Sequence, residues 1–299
     1  MDDQPLAPAW PEVEPALPAP ALVLRGDKRY PASLEDLKDP PARLWSIGNW
    51  SVVDAPVVAV VGTRRATAYG LRVTREVVTA LVRAGACVVS GMALGIDAAA
   101  HRAALDAHGR TTAVLGTGVD IAYPRSHRPL HAELASEGLL ISELPPGAQS
   151  HGGSFPMRNR IIAAIARLTI VVEAPVKSGA LITARHALDL GRDIGIVPGP
   201  IDSPQSQGSN ELLRDGAHPI VSIADAVTLA GLTAPKRGEP HLSDDMELRI
   251  WTALEQGAAS LDELCARSAL PVARCLTTIT ALELRGVVEC ALTGEIRRR

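Results

Sequence analysis

The stretch VVAVVGTRRAT at residues 57–67 decides the fold. Its first five residues are apolar, mostly β-branched, and end at Gly62. They show no alternation of polar and apolar positions, so both faces of the strand they predict are covered. The chain then runs into RVTREVVTALVRAG (72–85), where Val73, Val77 and Leu81 fall at i, i+4 and i+8 and Gly85 supplies a stop. That spacing predicts an amphipathic helix. A buried strand feeding such a helix is one repeat of an α/β architecture.

Outward from this unit the pattern recurs. Strands are predicted at 87–90, 112–116, 139–142, 168–172, 194–198 and 218–222, and helices at 96–107, 126–136, 158–166, 180–190, 210–214 and 223–230. Apolar strands alternating with helices predict a doubly wound, Rossmann-like parallel sheet over residues 57–231. Residues 1–21 are too rich in proline to fold alone and read as a lead-in; residues 22–56 read as short elements packing on the main domain, with Trp45 and Trp50 available for that. Residues 232–241 read as a linker. From 242 to 299, helices at 243–256, 261–268 and 272–285 precede a hairpin, VVECALTGEIRRR, the order of a small winged-helix-like domain.

Composition excludes several classes. Of 299 residues, 46% are hydrophobic and 21% charged, as in globular chains, and the net charge of -3 means that any site for a polyanion must be local. The four cysteines form no CxxC pair, so no metal and no cofactor are expected. The apolar runs are far shorter than the roughly 20 residues that span a bilayer, and the N-terminus is not a signal peptide. A cytoplasmic protein with no membrane contact is expected.

Ligands of open parallel sheets bind beyond the carboxyl ends of the strands. The loops there pair glycine with Ser or Thr just before helix starts: Gly62-Thr63, Ser90-Gly91 and Ser178-Gly179. Such backbone suits phosphate oxygens, but the sequence contains neither GxGxxG nor GxxxxGK[ST] there. The only aromatic rings of 57–231 are Tyr69, Tyr123 and Phe155, each near arginines: Arg64 and Arg65, Arg125, and Arg158. Phe155, the only phenylalanine in the chain, stands in GGSFPMRNRII (152–162) and is expected in a mobile glycine loop outside any helix. Rings interleaved with cations along one edge are what a single-stranded nucleic acid needs, the cations tracking phosphates and the rings stacking bases. The alternative is that the rings staple helix starts and the arginines are merely solvated. Asp97 and His101 read as a helix-start carboxylate and a hydrogen-bonded histidine, and Glu143 and Glu173 as loop anchors accepting backbone N–H groups. No nucleophile or metal set accompanies them, so a binding protein and not an enzyme is expected.

These residues give the chain a family likeness. YPASLEDLKDPPARLWSIGN, VAVVGTR, SGMALGIDAAAH, VLGTGVDIAYP, GLLISELPPG, FPMRNRIIAAIA, VVEAPVKSGALITARHALDLGR and VPGPIDSPQSQGSNELLRDGA occur in order over roughly 29–220. In them the chain resembles the DNA-processing protein DprA (Smf) family. The resemblance implies a protein that binds single-stranded DNA, protects it, and loads the RecA recombinase in natural transformation, acting as a dimer through its Rossmann domain. By position it assigns DNA contacts to Arg64 and to Phe155, Arg158, Asn159 and Arg160. Thr63 stands where the family has serine, His127 where asparagine is common, and Gly152 and Gly153 replace a lysine often found just before the Phe; Arg125 and Lys177 are candidates to supply that charge. The alternative is a Rossmann-type enzyme resembling the phosphoribohydrolases that release cytokinin bases, whose Pro-Gly-Gly-x-Gly-Thr loop is here the longer PGPIDSPQSQGSNE.

Overall fold

The structure, a computed structural model, describes residues 17–233, 242, 244–291 and 294–298. The lead-in up to residue 16 and most of the expected linker (234–241) lie outside these residues. Two units are present, dividing at residue 234.

The first unit is built on a nine-stranded sheet in the order β1-β2-β6-β5-β4-β3-β7-β8-β9. The strands are β1 (Ala21–Leu24), β2 (Arg43–Gly48), β3 (Val57–Val61), β4 (Cys87–Ser90), β5 (Arg110–Val114), β6 (Leu139–Ser142), β7 (Leu168–Val171), β8 (Asp193–Ile196) and β9 (His218–Pro219). From β3 to β9 every pairing is parallel. β2 pairs antiparallel with β6 on one side and with the edge strand β1 on the other. The segment expected to supply short packing elements therefore extends the sheet itself.

The helices are α1 (Ala68–Arg83), α2 (Ile96–Asp106), α3 (Arg128–Glu137), α4 (Ser154–Ile165), α5 (Gly179–Asp189), α6 (Gln207–Arg214) and α7 (Ile223–Leu229). The alternation of β3 sorts them. Val57, Ala59 and Val61 join the core under α4 and α5. Val58 and Val60 join the core under α1, α2 and α7, where Val73, Val77 and Leu81 sit as their spacing requires. All five residues of β3 are buried, and each such valine contributes about 1.5–3 kcal/mol relative to exposure. Trp50 packs on the first core and donates from Nε1 to Ser46 Oγ at 3.0 Å; Trp45 packs on a third cluster beside α3.

The second unit holds α8 (Asp245–Ala253), α9 (Leu261–Ser268), α10 (Val272–Leu284) and an antiparallel hairpin, β10 (Val288–Cys290) and β11 (Ile296–Arg298). Ile250, Leu264, Cys275, Ile279, Leu282, Val288 and Ile296 form its own core. Three helices followed by a hairpin match the winged-helix expectation.

Candidate nucleic-acid interface

β3 lies between β4 and β7, so the chain winds outward in both directions from it, and the crevice of an open α/β sheet opens at that point. Here it is a cleft of about 500 Å³ lined by Gly62, Thr63, Arg64, Arg65, Phe155 and Lys177 among others. The turn after β3 is tightly fixed. A Cβ on Gly62 would lie 2.5 Å from Ile96 Cγ1, so only glycine fits. The Thr63 amide donates to the Glu173 carbonyl at 2.7 Å, and Thr63 Oγ1 accepts from the Arg65 amide at 3.1 Å. Thr63 is thus buried while Arg64 and Arg65 are exposed. Glu173 accepts from the Thr67 amide at 2.9 Å and from the Thr67 hydroxyl, the loop-anchoring role expected of it. Glu143 differs: both its oxygens accept from Arg160 at 2.8 Å.

Across the cleft, Ser178 caps α5 by accepting from the Ala180 amide, with Lys177 exposed beside it. The first-turn amides of α5 carry the partial positive charge of a helix start. Arg64, Arg65, Arg125 and Lys177 are all exposed, and none of these four forms an ion pair among the described residues.

Phe155 corrects its expectation. It is the second residue of α4, not part of a loop. Gly153, at φ 95°, turns the chain into the helix, and Pro156 falls in the first turn, where its missing N–H has no helical acceptor to lose. The ring rests on Gly116, whose Cβ would lie 2.7 Å from Cδ1. It meets the Tyr123 ring at 5.2 Å between centroids, tilted by 35°, and lies under the Arg64 guanidinium at 5.6 Å. That separation is within cation–π range.

Of the rest of FPMRNR, Arg158 and Asn159 line the same cleft but are nearly buried. Arg158 is 7% exposed. It donates from one terminal nitrogen to the carbonyls of Gly91, at 2.7 Å, and Val114, and from Nε to Asn159 Oδ1 at 3.1 Å. Burial pushes its pKa down to about 10, against the pull of Asp97. Asn159 is buried and donates to the Gly179 carbonyl at 3.1 Å; Arg160 is spent on Glu143. Ser90 is fully buried, its hydroxyl donating to the Val60 carbonyl at 2.7 Å, and Gly91 is buried against Arg158. Nothing in a string of polar letters separates side chains that turn into the fold from those that stay exposed. Arg125 stands in a short 3-10 turn before α3, outside the lining of the cleft.

Asp97 and His101 are buried on α2. Burial raises the Asp97 pKa, opposed by Arg158 and by the Ala93 and Gly62 amides. His101 Nδ1 lies 2.8 Å from Thr111 Oγ1, and burial pushes its pKa down to about 3. Leu94 is a residue that the sequence did not single out. It is exposed and lines a small pocket with Tyr123, Pro124 and Phe155. An exposed leucine in a glycine loop carries no signal that distinguishes it from a core one.

Residues 21–231 match the family described as DNA recombination-mediator protein A, and residues 233–291 match the DprA winged helix domain. The chain belongs to the DNA recombination-mediator protein A family. Among relatives in that family, Protein Smf of Synechocystis is 36% identical, with 90% of this chain and 78% of that protein covered. The putative DNA processing protein DprA of Mycobacterium tuberculosis is 42% identical over 84% of this chain and 67% of its own length. The X-ray structure of DNA processing protein A from Streptococcus pneumoniae superposes with a TM-score of 0.68 at 39% identity, over 70% of this chain and 73% of the other. The structure of DNA processing protein A from Helicobacter pylori, described for its single-stranded DNA binding mode, superposes with a TM-score of 0.65 at 32% identity, over 71% of this chain and 96% of the other. These likenesses do not favour the phosphoribohydrolase alternative. Nor does the loop after β8, where the Asn210 amide clips the Gly199 backbone at 3.2 and 3.0 Å. No helix of the described residues is long and apolar enough to cross a membrane.

Among the described residues of the winged-helix unit most arginines are paired, while Arg274 on α10 is exposed and forms no ion pair. On α10, the helix that enters the DNA groove in such motifs, Val272, Leu276 and Leu284 are exposed. Thr277 and Thr280 turn their hydroxyls back onto the Ala273 and Leu276 carbonyls. Arg285 pairs with Glu247, Arg297 with Glu289 and Arg298 with Glu255.

Proposed function

We propose that this protein binds single-stranded DNA along the strand-end cleft and, as a cytoplasmic dimer joined through its Rossmann domain, protects that DNA and loads the RecA recombinase onto it. One observation carries the binding role: the unpaired cations Arg64, Arg65 and Lys177 border the same cleft as Phe155, which is held against Tyr123. The cations and the α5 amides at Ser178-Gly179 take phosphates, with Arg125 at the rim. The rings take bases, whose π-faces are all alike, so little sequence preference is expected. Gly62 and Thr63 act through the turn that they fix. The domain from residue 57 to 231 does the binding, 232–241 links it to the rest, and the winged-helix unit from 242 onward does other work. The role is one of binding and delivery, without catalysis.

The test is fluorescence anisotropy with single- and double-stranded oligonucleotides over a salt series. About 3–5 phosphates held should give a slope of log K against log salt near -2 to -4, from roughly 0.7 per phosphate. Equal affinity for blunt duplex defeats the reading. Delivery is tested separately, by whether the protein speeds RecA filament formation on DNA already coated by a single-strand binding protein; sedimentation tests the dimer.

A further inference from the structure

Three residues after Phe155, on the same helix, Arg158 is turned into the protein. Its hydrogen bonds reach the turn after β4 through the Gly91 carbonyl and the last residue of β5 through the Val114 carbonyl. Through Asn159, which it also holds, the connection continues to the Gly179 carbonyl at the start of α5. Two adjacent side chains thereby tie together two strand ends, the helix that carries the ring, and the helix whose amides face the cleft.

We propose that Arg158 and Asn159 are positioning residues, a buried clamp that sets the spacing between the Phe155 ring and the α5 N-terminus and does not itself hold phosphate. The proposal rests on the single-stranded-DNA reading of the cleft. Three observations carry it. First, the site is built around this guanidinium: a Cβ at Gly91 would lie 2.5 Å from its terminal nitrogens, so glycine at 91 is required by the arginine. Second, the guanidinium's hydrogen bonds are made within the fold, to the Gly91 and Val114 carbonyls and Asn159 Oδ1, and the buried Asp97 attracts its charge. Third, Gly153 gives the N-terminal turn of α4 no side-chain cap; besides the paired bonds between His151 and Ser154 and the Met157 amide on the Gly153 carbonyl, the turn is held by the ring's contacts with Gly116, Tyr123 and Arg64. Residues three apart lie on neighbouring positions of one helix face. A rotation of α4 that released Arg158 would therefore also lift the ring from its seat.

The experiment compares Arg158→Lys, Arg158→Met and Asn159→Ala with Arg64→Ala in the full chain. A lysine keeps the charge but cannot span both carbonyls and Asn159. A clamp predicts that both Arg158 variants lose affinity for an oligothymidine by roughly tenfold, the scale of one stacked base, with the salt slope unchanged. Arg64→Ala should instead flatten the slope by about 0.7. Hydrogen exchange without DNA should be faster in the segments covering 91–97 and 154–165 in both Arg158 variants, and in Asn159→Ala should be faster around 179. If Lys retains wild-type affinity while Met loses slope, Arg158 is a phosphate ligand and the clamp is refuted. Unchanged exchange also refutes it. If the unmodified protein does not bind the oligonucleotide, the reading of the cleft fails, while the exchange data still decide the clamp.

Discussion

Replacing Phe155 by alanine should reduce binding more than folding, and the structure sets both scales. The ring is only partly buried and rests on Gly116, so truncation opens a surface notch and not a closed cavity. A fully buried phenylalanine costs about 3–5 kcal/mol on truncation. For this half-covered ring about 1–2 kcal/mol is expected, a fall in Tm of roughly 2–8 °C for a chain of this size. Binding loses a stacked base, about 1–3 kcal/mol. It also loses the surface that steadies the Arg64 guanidinium, about 0.5–1 kcal/mol. Together these weaken Kd by roughly ten- to several hundredfold, at about 1.4 kcal/mol per decade. Phe155→Tyr should keep most of the affinity, because it keeps the π-face that stacks a base. Phe155→Leu restores bulk without a π-face: it should recover most of the stability and little of the binding. Anisotropy and thermal melting on the same samples read both quantities. If Leu binds as tightly as Phe, the ring is a structural staple and the stacking argument fails.

Arg160→Ala should leave the salt slope unchanged and the affinity within about twofold, because its partner is Glu143 and not DNA; a slope loss near that of one phosphate would contradict this. Gly152→Lys should strengthen binding and steepen the slope by about 0.7, since a side chain there meets nothing within 4 Å; the same change at Gly153, at φ 95°, should be strained. A chain ending at residue 241 should fold and bind single strands with near-native affinity, and a folded but inactive truncation would move the site to the winged helix. His101 sets a pH effect. Its folded-state pKa is depressed to about 3, so the unfolded chain takes up its proton first and stability falls as pH drops below the ordinary histidine value. Between neutrality and pH 5 the loss from this group should be about 2 kcal/mol, measurable by urea unfolding, and His101→Gln should flatten that decline.

The fold was largely legible because β3 announces itself twice. Its unbroken apolar run demands cover on both faces, and the helix after it has one clean stripe. Strands of the same type were found at nearly their observed limits. The antiparallel pair β1 and β2 was not, because ALVL directly follows a proline-rich lead-in and RLWSIG shows neither clean alternation nor an unbroken apolar run. At the site, the exposure of Arg64 beside the cleft was legible from its place directly after a strand. The roles within FPMRNR were not, because a helix start was hidden by two glycines and a proline that normally argue against helix, and the burial of Arg158 depends on carbonyls 44 and 67 residues away in sequence.

Arg64, Tyr123, Phe155 and Lys177 follow four different strands, β3, β5, β6 and β7, and come together only when the parallel sheet is complete. Occupancy and folding are therefore linked by mass action: an oligonucleotide that recognises only the finished sheet should raise its stability by about 2.7 kcal/mol at a hundred times Kd. The melting temperature would then rise with oligonucleotide concentration, and an unfolded or half-made chain would leave the nucleic acid untouched.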